Sequence, residues 1–263
     1  MTWFEALFLG ILQGVAEFLP ISSSGHIVIG KELLGIETYG VTFEVVVHTA
    51  TALSIITVFW REIWKLLSAC FKFRYSEEVR FMLMLLVSMV PVFVVGIFFK
   101  KQVETIFGSG LILVGIMLLL TAVLLLLSQW KPAKSSPLRY WDALIIGLSQ
   151  AIAVLPGLSR SGATISTGLM LGKDRSTVAK FSFLMVLIPI LGEAFLDLTK
   201  GGFTPQQSGV SVLSLTIGFI AAYLTGFAAC SWMMTLVKQA KLWGFALYCA
   251  VVGCFCLLYS LFL

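Results

Sequence analysis

Residues 17–26 read EFLPISSSGH and residues 156–164 read PGLSRSGAT, in a chain that is otherwise mostly apolar. The first stretch carries a carboxylate (Glu17), three hydroxyls in a row (Ser22, Ser23 and Ser24), Gly25 and an imidazole (His26). The second sets Arg160 between Ser159 and Ser161, followed by Gly162 and Thr164. Each is Ser/Gly-rich turn chemistry leading into a helical arm. Serines cap helix starts, and the free N–H groups and dipole at such a start favour an anion. Two starts facing each other would form an anion cradle, and the planar fork of Arg160 suits phosphate oxygens. Gln13 precedes Glu17 by four residues, so both occupy one helix face, and Ser23 precedes His26 by three. A carboxylate, a hydroxyl nucleophile and an imidazole beside an arginine-bearing cradle suit phosphoryl transfer, where positioning and charge stabilisation dominate. An internal ion pair between Arg160 and Glu17 is the plainer alternative, and it leaves the serines and glycines unaccounted for. Ser-x-x-His also occurs in hydrolases of esters and peptides, but there is no G-x-S-x-G elbow, and an arginine cradle fits phosphate better than an acyl group.

The elements that must hold these residues are membrane elements. Of the 263 residues, 59% are hydrophobic and only 12% charged, with mean hydropathy +1.01; soluble domains average about a quarter charged. Long apolar runs with short basic links indicate an integral α-helical membrane protein. The net charge of +5 then reflects loops facing anionic lipid rather than nucleic acid. The opening MTWFEALFLG has neither a basic n-region nor a small-residue cleavage pattern, so it is expected to stay in the mature chain. The five cysteines form no CxxC or metal spacing and read as small membrane-core residues.

Six runs read as spanning helices: 41–60, 81–99, 111–128, 178–199, 210–237 and 242–263. Two further regions, 2–36 and 141–172, each have an apolar arm, a Pro/Ser/Gly break and a short second arm, and read as re-entrant helical hairpins. They resemble each other. GILQGVAEFLPISSSGH (10–26) aligns without gaps to GLSQAIAVLPGLSRSGA (147–163) at an offset of 137. The expected fold is therefore all-α, an inverted-topology repeat of six spanning helices plus two re-entrant hairpins: repeat 1 over 1–130, a cytoplasmic linker 131–139 and repeat 2 over 140–263. Three spans per repeat turn the second copy upside down, which places a site near the midplane where broken helices meet. With Arg160 and Lys180 left aside, the re-entrant reading puts twelve Lys/Arg on one side and four on the other. Treating the first arms as full spans evens this to nine against seven. The positive-inside rule favours the re-entrant reading and puts both termini outside the cytoplasm.

Irregular backbone at membrane depth survives only inside protein or beside water, so both breaks should line a cavity. Among other polar residues, Glu44 reads as support near that cavity and His48 as an ordinary core histidine. Glu193 and Asp197 read as a wet interfacial face, Lys31 and Glu32 as the outer mouth, Arg139 and Asp142 as entrance residues, and 71–80 as a solvated loop. Trp3, Trp60, Trp64, Trp130 and Trp141 suit membrane boundaries.

QGVAEFLPISSSGH and PGLSRSGATIS closely resemble the two signature segments of the undecaprenyl-diphosphate phosphatases of the BacA/UppP type. TFEVVVHTATAL (42–53) and KFSFLMVLIPI (180–190) also look like family segments, and the resemblance covers nearly the whole chain. It implies a multi-pass enzyme of the bacterial inner membrane whose site opens on the periplasmic side. The implied reaction takes the C55 polyprenyl diphosphate left after cell-wall polymers are transferred and yields the monophosphate carrier and inorganic phosphate. By motif position Glu17 matches the essential carboxylate, Ser23 the proposed nucleophile, His26 the signature histidine and Arg160 the phosphate-binding arginine. Ser22, Ser24, Ser159, Ser161 and Thr164 match the hydroxyl lining. Gln13 stands where family members carry Glu or Gln, which weakens a picture of two carboxylates on one metal. Mg²⁺ or Ca²⁺ bridged from Glu17 to the diphosphate is the cofactor the resemblance allows. The oligomeric state stays open, a homodimer included. The competing reading is a polyprenyl-phosphate transporter using the same cradle; it needs no nucleophile or proton acceptor.

Overall fold

The computed structural model describes residues 1–35, 42–72, 74–99, 102, 105, 110–130, 135–199, 210–239 and 242–262. Part of the expected linker, 131–134, and the side chain of Asp197 lie outside what is described. Among the described residues the regular elements are helices: α1 (Trp3–Phe18), α2 (Ser23–Leu34), α3 (Thr42–Val58), α4 (Trp60–Cys70), α5 (Glu77–Phe98), α6 (Gly110–Trp130), α7 (Tyr140–Ile152), α8 (Arg160–Met170), α9 (Arg175–Met185), α10 (Leu187–Thr199), α11 (Val212–Lys238) and α12 (Trp243–Phe262). By length and apolarity α5, α6, α9 with α10, α11 and α12 could each cross a membrane, and α3 with α4 makes a sixth if that bent pair is one span. The chain is an all-helical, multi-pass membrane protein.

Both expected hairpins are helix–break–helix. α1 starts on a capping box in which the Thr2 hydroxyl accepts from Glu5 N–H at 3.3 Å and the Glu5 carboxylate accepts from Thr2 N–H at 2.9 Å. It ends before Pro20, which disfavours helix in the residue ahead of it. α7 ends at Ile152, ahead of a break holding Pro156 and Gly157.

The structure changes two expectations. The stretch after 60, expected as a loop, holds α4 over 60–70, bent by 78° from α3 at Phe59. Its Trp60, Trp64 and Leu67 are exposed while Arg61 lies 5.5 Å over the Trp60 ring. Charges at Arg61, Glu62 and Lys65 break up its apolar run, yet the two faces together suit a helix lying in the headgroup layer. The 178–199 run is interrupted at Val186, between α9 and α10. Pro189 has no N–H to give the Met185 carbonyl one turn earlier.

Small residues bring the helices together, as lipid-solvated helices require. α1 lies along α11, where a Cβ on Gly10 would come 2.5 Å from Gly218 O. α7 lies along α5, with Gly147 against the Ser88 backbone. α6 and α12 cross on Gly115 and Gly253, and a Cβ on either would sit 2.9 Å from the carbonyl oxygen of the other. Gly244, near the start of α12, has nothing within 4 Å of the added carbon. Gly10→Ala and Gly147→Ala should therefore each destabilise the protein by about 1–3 kcal/mol through overpacking. Gly244→Ala should be neutral or stabilising, since Ala is the better helix former. Thermal unfolding of the purified protein in detergent checks the difference.

Candidate active site

The two breaks meet at a cavity of about 550 Å³. Ser22 caps α2, its Oγ accepting from Gly25 N–H at 3.2 Å and lying 3.3 Å from Ser24 Oγ. Ser159 caps α8 in the same way, accepting from Gly162 N–H at 3.0 Å and lying 3.3 Å from Ser161 Oγ. Helix geometry leaves the first amides of each arm, those of Ser23 and Ser24 and of Arg160 and Ser161, without an intrahelical acceptor. The breaks touch backbone to backbone: a Cβ on Gly25 would lie 3.0 Å from Gly157 Cα. Gly157 has φ +92° and packs against the Val114 backbone, so only glycine fits there. Ser161 Oγ donates to Leu19 O at 3.2 Å, and Ser159 N–H to Thr121 Oγ1 of α6 at 3.0 Å.

Glu17 joins the two halves. Its Oε1 accepts from Arg160 Nη2, across the boundary between the hairpins. Its Oε2 accepts from Ser23 Oγ at 2.7 Å and from Gln13 Nε2 at 2.9 Å. The carboxylate is buried while the Arg160 side chain is partly open to the cavity. A hydroxyl that donates to a carboxylate at 2.7 Å is arranged to lose its proton to it. The guanidinium and the first amides of α2 and α8 offer positive potential to an anion beside that hydroxyl.

Of the residues singled out from sequence, Glu17, Ser22, Ser23, Ser24, Ser159, Arg160 and Ser161 line the cavity. Gln13, Gly25, Gly162 and Thr164 stand behind it. Thr164 Oγ1 donates to Arg160 O at 2.8 Å and lies 2.6 Å from Ser182 Oγ. His26 is not brought to the cavity: it is buried, with its ring against Ser22 O and Tyr248 Oη. Two residues given smaller parts in the sequence belong to the cavity wall. His48 puts Nε2 3.7 Å from Glu17 Oε2, with its Nδ1 2.9 Å from Glu44 O. Since a carbonyl only accepts, that Nδ1 carries hydrogen and Nε2 faces Glu17. Glu44 pairs with Lys31, tying α3 to α2. The i, i+4 spacing of Glu44 and His48 was the available signal, but it marked a helix face without saying what the face looks at. Glu193 is exposed at the cavity rim, and the buried Gln150 lines the cavity as well.

A Mg²⁺ or Ca²⁺ ion held by protein alone needs about six or more oxygen ligands. Among the described residues no group of three His, Cys, Asp or Glu could hold a metal ion. Gln13 Oε1 is a buried amide oxygen without a partner, but Glu17 beside it already has both oxygens occupied. Among the described residues the donors do not make up a protein-built metal centre.

Residues 6–255 match the family model described as Bacitracin resistance protein BacA. The chain is similar to the undecaprenyl-diphosphatase of Parabacteroides distasonis, at 52% identity over 256 residues covering 96% of each chain. It is 53% identical over 256 residues, again 96% of each chain, to the undecaprenyl-diphosphatase of Bacteroides fragilis. At greater distance it is 35% identical over 277 residues, 98% of each chain, to that of Methanosphaera stadtmanae. With the match running through both hairpins and almost to each end, the chain belongs to the bacitracin resistance protein BacA family.

Proposed function

We propose that the protein hydrolyses undecaprenyl diphosphate to undecaprenyl phosphate and inorganic phosphate, recycling a cell-wall lipid carrier. The observation that carries the reading is Ser23 Oγ 2.7 Å from a Glu17 carboxylate that is paired with Arg160 across the two hairpins. The relatives named undecaprenyl-diphosphatase over nearly their full length support it. A transporter would need the cradle but not the Ser23–Glu17 pair, and no relative described above bears such a name.

In the proposed reaction Arg160, with the first-turn amides of α2 and α8, holds the terminal phosphate and stabilises its growing charge. Ser23 Oγ attacks that phosphorus in line, its proton passes to Glu17, and the bond to the bridging oxygen breaks, releasing the lipid monophosphate. Glu17 hands that proton to the leaving monophosphate, then takes one from the attacking water and returns it to Ser23 Oγ as the phosphoserine bond breaks, freeing serine and phosphate. Ser22, Ser24, Ser159 and Ser161 donate to or orient the phosphate oxygens. Any Mg²⁺ or Ca²⁺ that takes part would come with the diphosphate and neutralise charge on its oxygens, and Glu17 is the carboxylate that would help hold it.

We further read the chain as an inverted repeat, 1–130 and 140–263, with α1–α2 and α7–α8 as re-entrant hairpins. The matching caps at Ser22 and Ser159, the reciprocal contact of Gly115 with Gly253, and the exchange of partners (α1 on α11, α7 on α5) support that division. The basic loops then face the cytoplasm and the cavity opens to the periplasm of the inner membrane. The named residues all come from one chain, so a homodimer would not be needed to build the site.

Phosphate release from a C55 polyprenyl diphosphate by the purified protein in detergent tests this function. Arg160→Ala and Glu17→Gln should each lower kcat at least about a hundredfold, the scale of losing one charge-stabilising contact. A well-folded wild type that releases no phosphate, with or without Mg²⁺ or Ca²⁺, would remove the phosphatase reading. Rapid acid quench with substrate labelled in the terminal phosphate should trap phosphoserine at position 23. Label absent from the protein, or Ser23→Ala retaining wild-type kcat, would exclude the covalent route and leave Glu17 activating water directly.

A further inference from the structure

The two hairpins align without gaps in sequence, and one place where they differ is the turn that caps the second arm. Ser159 caps α8 with φ −69°, an ordinary value. Its counterpart Ser22 caps α2 with φ 72° and ψ 98°, a conformation that a residue with a side chain rarely holds. Such strain persists only where the surroundings enforce it. The position one turn into α8 is Ala163; one turn into α2 it is His26. The imidazole therefore stands in the half that carries the strain.

His26 grips that turn twice. Its backbone N–H donates to Ser22 O at 3.1 Å, and its ring Nδ1 lies 2.8 Å from the same oxygen. Because the carbonyl can only accept, Nδ1 carries the hydrogen, and in the neutral ring Nε2 is left as an acceptor. Nε2 lies 2.7 Å from the hydroxyl of Tyr248 on α12, which donates to it, and the two rings stack at 5.5 Å with 14° between their planes. Cys249, the next residue of α12, gives a second tie to the same break through Sγ 3.4 Å from Pro20 O. We propose that His26 is the clamp of the strained Ser22 turn, and that Tyr248 is the positioning residue that fixes its ring in the tautomer able to clamp. The clamp sets the direction in which the next residue, Ser23, presents its hydroxyl to Glu17. With both ring nitrogens engaged and the ring off the cavity wall, His26 does not take the Ser23 proton; Glu17 does. This assignment rests on the phosphatase reading above.

The test is a double-mutant cycle on phosphate release from the C55 diphosphate, with Tyr248→Phe, His26→Gln and the pair. Tyr248→Phe keeps the stacked ring and removes only the hydroxyl. It should lower kcat about tenfold, because the ring is no longer held in the clamping tautomer, while KM stays within about twofold and the thermal midpoint falls by no more than about 2 °C. In the His26→Gln background the same substitution should cost less than about twofold, because coupled residues do not add. An unchanged kcat in Tyr248→Phe overturns the proposal, as does an equal loss in both backgrounds. If His26→Gln turns over too slowly to read, the single variant decides: a kcat loss that comes with a comparable fall in thermal midpoint marks a packing residue and overturns it. An inactive wild type is a different result, and it refutes the phosphatase reading itself.

Discussion

Two opposite charges in an apolar bundle, one on each hairpin, are the constraint on which the architecture turns. Glu17 and Arg160 could not stay ionised alone at membrane depth, and each is the other's partner. The pair is oriented by its surroundings. Ser23 and Gln13 satisfy the second carboxylate oxygen, and His48 closes in from α3. Desolvating such a pair costs as much as its attraction returns unless the remaining polar atoms are bonded. Here Ser23 and His48 line the cavity and Gln13 stands just behind it, so groups that make the charges tolerable also make them useful.

The rest of the fold brings the two hairpins close enough for that pair to form. Side chains would hold the helices apart, so glycine recurs where backbones cross: Gly10 and Gly14 on α1, Gly147 on α7, Gly115 against Gly253, and Gly25 against Gly157. The hairpin breaks could not be buried against lipid, because their backbone groups need partners. They find them in one another, in Thr121 of α6 and in Cys249 of α12.

Much of this was written in the chain, and what was not has a physical reason. The hairpins and their caps follow from local residue types and from a repeat at constant offset, both visible in one dimension, whereas the pairing of Glu17 with Arg160 was only the plainer alternative to the cradle, and it is formed. The place of His48 was not, because an imidazole on an apolar helix face looks the same whether it faces packing or a carboxylate. Tyr248 is 222 positions from His26, and no periodicity relates them. α4 was hidden by its own amphipathicity, since charges that interrupt an apolar run resemble a loop. The strain at Ser22 has no plain signature either, since Ser22, Ser24 and Gly25 recur as Ser159, Ser161 and Gly162 around a cap of ordinary φ.

The bend at Phe59 has a consequence for depth. If α4 floats in one headgroup layer, α3 rises from it through only 17 residues, about 25 Å at 1.5 Å each. That is shorter than a hydrocarbon core of about 30 Å. Its far end carries Glu44, beside Lys31 at the cavity wall. A bilayer meets so short a span by thinning around it. Such thinning would bring a headgroup layer closer to the polar cavity.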